Sequence, residues 1–143
     1  VLAQRLRTNP GAEQLMQAAR QHGVQTVLVS GGFTYFAEQV QRQLSIDHIH
    51  ANTLEIKDGL LTGDVLGEIV NGDIKARHVR EHCERLNLPC DQAIAMGDGA
   101  NDLPMMSISG LSVAYRAKPK VQERAMMSLN FVGLDGLAVV LSA

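Results

Sequence analysis

Apolar positions recur along the chain in two rhythms, one helical and one strand-like, separated by glycine, proline and Asx punctuation. Residues 10–23 begin at Pro10, continue through good helix formers and stop at Gly23, which predicts a helix. Residues 26–29, Thr-Val-Leu-Val, are a β-branched apolar run that halts at Ser30-Gly31-Gly32, and residues 33–44 return to helical spacing. Two strand-like runs follow at 49–56 and 60–66, joined by Lys57-Asp58-Gly59, whose Asp-Gly pair is a strong hairpin signal. After Asn71-Gly72 the pattern predicts a helix over 73–88, a strand over 93–96 and a short helix holding Met105 and Met106. A strand over 111–114, a helix over 119–126 with proline at its start and a last short strand over 130–132 complete the reading. Strands alternating with helices predict an α/β fold with a mostly parallel sheet and flanking helices, interrupted by a β-hairpin near 49–66. No internal repeat, low-complexity run or long linker divides the chain, so residues 1–143 read as one domain.

Composition narrows the partners. With 143 residues and 45% hydrophobic content the chain can bury a real core, and a net charge of -2 offers no basic face for nucleic acid. Aromatic content of 3% without tryptophan argues against a base-stacking surface, and no apolar stretch approaches the length that spans a bilayer. Cys83 and Cys90 fit no zinc or redox spacing and are too few for a disulfide framework, so a reducing cytoplasm is the expected setting. The opening Val-Leu-Ala-Gln-Arg-Leu-Arg resembles neither a secretory signal nor a natural start, and the sequence is expected to begin within a longer protein.

The densest chemistry lies at Ala-Met-Gly-Asp-Gly-Ala-Asn-Asp-Leu, residues 95–103. Asp98 and Asp102 follow a buried-strand pattern, at the carboxyl end where open α/β sheets bind ligands, and their hard oxygens suit Mg²⁺. A helix beginning near Asn101 adds a positive dipole end. Ser30-Gly31-Gly32 stands at another strand end and Lys75 near a helix start. A hydroxyl, backbone N–H groups, an ammonium and a metal-binding carboxylate together describe a site for an anionic phosphoryl group. Taken singly, each feature has a plainer reading as an Asx-rich turn, a capping serine or a solvated helix lysine. His78 and His82 lie one helical turn apart but lack the glutamate of a zinc protease, and read as a solvated helix face. Residues 98–109 fail as a calcium loop because Ala100 and Ser109 replace oxygen ligands; residues 28–32 fail as a nucleophile elbow because Leu28 replaces the first glycine. Met105, Met106, Met126 and Met127 read as core fillers.

Together, the strand ending at Ser30, Lys75 and the acidic segment around Asp98 resemble the second, third and fourth motifs of the haloacid dehalogenase-like phosphohydrolases. Val-Ser-Gly-Gly-Phe at 29–33, Leu-Thr-Gly-Asp-Val at 61–65, Gly-Asp-Gly-Ala-Asn-Asp at 97–102 and Ala-Lys-Pro at 117–119 resemble the phosphoserine phosphatase branch, over essentially the whole chain. The resemblance implies a Rossmann-like core, a Mg²⁺ cofactor and hydrolysis of O-phosphoserine to serine and phosphate, the last step of serine biosynthesis. It also implies that Ser30, Gly31 and Asn101 bind the substrate phosphate. Lys75 would neutralise the phosphoryl group and the aspartyl-phosphate intermediate. Asp98 would ligate the metal, and Asp102 would orient its neighbours, with metal ligation its less favoured role. The family's first motif, Asp-x-Asp-x-Thr, is absent, since no Asp here has another Asp two positions away. Nucleophile and general acid are therefore unassigned, and the chain alone is expected to be inactive. By the same resemblance the missing strand lies between the strands ending at Ser30 and Asp98, and residues 1–7 are the tail of a missing cap. Open edges left by that strand imply self-association. Another small-molecule phosphatase or phosphotransferase of the superfamily, or a non-catalytic phosphate-binding fragment, remains the alternative.

Overall fold

The computed structural model describes residues 10–141. In chain order the elements are α1 (Ala12–Gln21), β1 (Val27–Phe33), α2 (Thr34–Leu44), β2 (His48–Lys57), β3 (Leu60–Leu66) and α3 (Gly72–Arg85). They continue with β4 (Ile94–Gly97), α4 (Leu103–Ile108), β5 (Leu111–Tyr115), α5 (Pro119–Arg124), β6 (Met127–Leu129) and α6 (Asp135–Leu141). Short 3₁₀ turns at Cys90–Gln92 and Ala100–Asp102 precede β4 and α4. The chain forms two compact units, one running to Val70 and resuming at Gly133, the other Asn71–Val132. The expected cap tail at residues 1–7 lies outside the described residues.

In the first unit β1 pairs with β2 in parallel and β2 with β3 antiparallel, in the order β1-β2-β3. The predicted hairpin is present: Asp58 and Gly59 both take positive φ, 53° and 77°, as the type I′ turn matching strand twist requires. Ala12, Leu44 and Ile46 form the core, with Met16, Leu28, Val40, Ile49 and Leu134 packed on it. In the second unit β4, β5 and β6 are parallel in that order. Its core is Ala76, Ala95, Met105, Met106, Ala114 and Val121. The mixed α/β architecture with parallel strands and flanking helices is the one the apolar rhythm predicted.

Two local expectations are corrected, and one further helix is present. β1 does not halt at Ser30-Gly31-Gly32 but runs to Phe33, its register with β2 shifting between Val29 and Phe33 so that the glycines occupy an irregularity within the strand. The last strand is Met127–Leu129 rather than 130–132, because pairing of Tyr115 with Leu129 buries Leu129, whereas Phe131 is 97% exposed. α6 has no counterpart in the reading of the sequence; it forms by burying Leu137 and packing on α1. Among the described residues no helix is long and apolar enough to cross a membrane.

Candidate active site

In the second unit the acidic segment is built around one buried carboxylate. β4 ends at Gly97, and the backbone turns into the 3₁₀ segment Ala100–Asp102, closed by Asp102 N donating to Gly99 O at 3.0 Å. This brings the Asp102 side chain back under the strand end, where a Cβ on Gly97 would collide with its carboxylate. Asp102 is buried and both its oxygens are engaged. Oδ1 accepts from Lys75 Nζ at 2.7 Å, and Oδ2 accepts the backbone N–H groups of Asp98 at 3.1 Å and Gly99 at 3.2 Å.

Lys75 sits in the first turn of α3, whose N-cap Asn71 accepts from Ile74 N at 3.0 Å. A cation at a helix N-terminus opposes the helix dipole, and Lys75 is only 6% exposed, so the Asp102 carboxylate is what stabilises its charge there. Gly72, at the start of the same helix, lies so close to Asn101 O that an added Cβ would stand 3.0 Å from it, which seats the turn against α3. Asn101 and Asp98 are exposed on that turn, and the Asp98 carboxylate accepts no hydrogen bond among the described residues. A free carboxylate at a parallel strand's carboxyl end has the hard-oxygen chemistry Mg²⁺ takes, which usually uses one or two carboxylates and completes its shell with water and substrate. Asp98 fits that requirement, whereas both Asp102 oxygens already accept hydrogen bonds. Among the described residues no cluster of three or more His, Cys, Asp or Glu could hold a metal by itself.

In the first unit Ser30 and Gly31 lie in the irregular part of β1. Ser30 Oγ accepts the Gly32 N–H at 3.0 Å, which engages an oxygen lone pair and leaves the hydroxyl proton to donate elsewhere. Gly31 O accepts from Asn52 Nδ2 at 2.9 Å, and Asn52 Oδ1 accepts from Val70 N at 2.7 Å.

The structure therefore brings Lys75, Asp98, Asn101 and Asp102 together within one unit, with Ser30 and Gly31 in the other. Asn52 was missed from sequence, although an asparagine in the middle of an apolar strand was a signal that could have found it. His82 is buried at 6% exposure, so the pair at 78 and 82 is not a solvated face, because α3 packs that side inward. Met105 and Met106 fill the core as expected, but Met126 is exposed, standing between α5 and β6 rather than under either.

Residues 1–107 match the family model of the haloacid dehalogenase-like hydrolases. A phosphoserine phosphatase of Polaromonas sp. is 52% identical over 137 residues, covering 93% of this chain and 58% of that protein. The crystal structure of a probable phosphoserine phosphatase from Vibrio cholerae, in unliganded form, superposes with a TM-score of 0.93 at 41% identity, over 98% of this chain and 43% of that one. A structure described as a phospho-aspartyl intermediate analogue of phosphoserine phosphatase gives 0.89 at 31% identity, covering 96% of this chain and 66% of its own. The chain thus spans less than two thirds of the length of each of these three relatives. With the family model, the fold and the buried lysine–aspartate pair in agreement, the chain belongs to the haloacid dehalogenase-like hydrolases.

Proposed function

We propose that this chain is the phosphate- and metal-binding portion of a Mg²⁺-dependent phosphoserine phosphatase, a partial core whose cap and first motif lie outside this sequence. The observation that carries the reading is the buried Lys75–Asp102 pair at 2.7 Å beside the free Asp98 carboxylate. Similarity to phosphoserine phosphatases along nearly the whole chain supports the substrate, and with it a cytoplasmic enzyme of serine biosynthesis.

In this reading the Ser30 hydroxyl donates to a phosphate oxygen, the Gly31 N–H supports it, and Asn101 is a further phosphate ligand. Lys75, held by Asp102, opposes the negative charge that grows on the phosphoryl oxygens as the ester bond breaks. Asp98 holds Mg²⁺, and Asp102 orients Lys75 and the 98–99 backbone. When bound, Mg²⁺ supplies positive charge against the same oxygens. An aspartate outside this sequence attacks phosphorus, serine leaves with a proton from a second acid, and water cleaves the aspartyl-phosphate to release phosphate. The solved relative described as a phospho-aspartyl intermediate analogue supports that route.

Phosphate release from O-phosphoserine with Mg²⁺ tests the proposal, comparing this chain with the full-length protein that contains it. Turnover only in the longer protein is the expected result; none in either overturns it. The absence of any Asp-x-Asp pair favours a second reading for the chain by itself, a module that binds phosphate without turning it over. Adding a peptide carrying the first motif separates the two, since restored turnover identifies a split enzyme and none leaves a binding module.

A further inference from the structure

The Asn52 carboxamide is used at both ends, and the residue is only 6% exposed. What it holds is the Gly31–Gly32 peptide. That peptide's carbonyl accepts from Asn52 Nδ2 at 2.9 Å, while its N–H donates to Ser30 Oγ at 3.0 Å. The plane is thus clamped from opposite sides, by Asn52 and by the hydroxyl assigned to phosphate. Because a peptide is rigid, fixing its carbonyl fixes the direction of its N–H, and that N–H occupies one lone pair of Ser30 Oγ and so narrows the directions its proton can take. Gly31 and Gly32 are exposed glycines in a strand irregularity, with no side chains of their own to restrain the backbone. The far end of Asn52 is anchored by the Val70 N–H, so the amide cannot swing without leaving a buried donor unpaired.

We propose that Asn52 is a positioning residue for phosphate binding, acting through the Gly31–Gly32 peptide to aim the Ser30 hydroxyl. The inference rests on the phosphatase reading above. Asn52→Asp in the full-length protein isolates the effect, because the isosteric carboxylate still accepts from Val70 N but sets an oxygen against Gly31 O where a donor stood. KM for O-phosphoserine and the inhibition constant of inorganic phosphate are expected to rise together by about tenfold, more than any fall in kcat, as for loss of one hydrogen bond made equally in ground and transition states. In a Ser30→Ala background the same change is expected to add less than about twofold, since its path is already cut. Unchanged KM and phosphate inhibition in a folded Asn52→Asp protein would overturn the inference, as would full additivity with Ser30→Ala. If Asn52→Asp does not fold, the unmodified protein carries the test. Inorganic phosphate must then shift the Gly31 and Gly32 amide NMR signals together with the Asn52 side-chain amide, and a stationary Asn52 signal rejects the role. An unmodified full-length protein with neither turnover nor a phosphate response overturns the phosphatase reading along with it.

Discussion

Asp98 and Asp102 stand four positions apart in one turn, yet their surroundings differ. Asp102 has both carboxylate oxygens hydrogen-bonded and a buried ammonium 2.7 Å away; Asp98 is exposed with its carboxylate free. In the full-length protein Asp102→Asn removes the charge that balances Lys75. Loss of one partner of a buried pair costs about 3–5 kcal/mol, so a large fall in the unfolding midpoint should accompany the loss of activity. Asp98→Asn should leave the midpoint nearly unchanged, lower kcat by roughly 10² and raise the Mg²⁺ concentration needed for half-maximal rate. Thermal unfolding and Mg²⁺ titration of the two variants check this, and equal destabilisation by both would contradict the division of labour. On the proposed function, Lys75→Ala should also lower kcat by roughly 10² or more, because it would remove charge opposed to the phosphoryl group. Spacing and family likeness singled these residues out, and the structure sets Lys75 against Asp102. The engagement of both Asp102 oxygens was not, since it depends on a turn that folds the side chain back under Gly97.

At the scale of elements, close backbone approaches and a thiol pair give two further expectations. Gly110, which leads into β5, lies so close to Asp91 that a Cβ would overlap the Asp91 carbonyl carbon and oxygen. Gly110→Ala must therefore displace the Cys90–Gln92 turn or the start of β5, and a loss of more than about 2 kcal/mol is expected in denaturant unfolding. Near the C-terminal end of α3, burial pushes the Cys83 thiol above its ordinary 9.0, with Cys90 beside it adding to the rise. The folded state thus favours the neutral thiol. Its contribution to stability is complete below about pH 9 and is lost as pH climbs through the raised value. Cys83→Ser should flatten that alkaline fall in the unfolding midpoint. Elements with a strong period or a turn signal, such as the 58–59 hairpin and α3, were readable from the chain. β6 and α6 were not, because three residues in a strand and seven in a helix carry too little pattern against the partners that decide them, β5 and α1.

At the scale of the whole molecule the open strand edges matter most. β1 closes one side of the first sheet and β4 one side of the second, each without a further strand among the described residues. The hairpin adds apolar surface, with Ile56 64%, Leu60 72% and Leu61 65% exposed. An unpaired edge presents a row of N–H and C=O groups that another chain can complete, and nearby apolar side chains add burial to that pairing. The 143-residue chain is accordingly expected to associate with itself, its apparent mass in light scattering rising with concentration. Val27 on β1 and Ile94 on β4 are both partly exposed on these edge strands, and lysine there disfavours edge pairing. Val27→Lys with Ile94→Lys should therefore shift the chain toward monomer while circular dichroism keeps its α/β form. If association runs instead through the hairpin, Leu60→Lys with Leu61→Lys will have the larger effect and the strand edges are not responsible. A full-length protein that stays monomeric at the same concentrations would then assign the edge surfaces to residues outside this sequence, and a 143-residue chain that is itself monomeric throughout would remove the argument from open edges altogether.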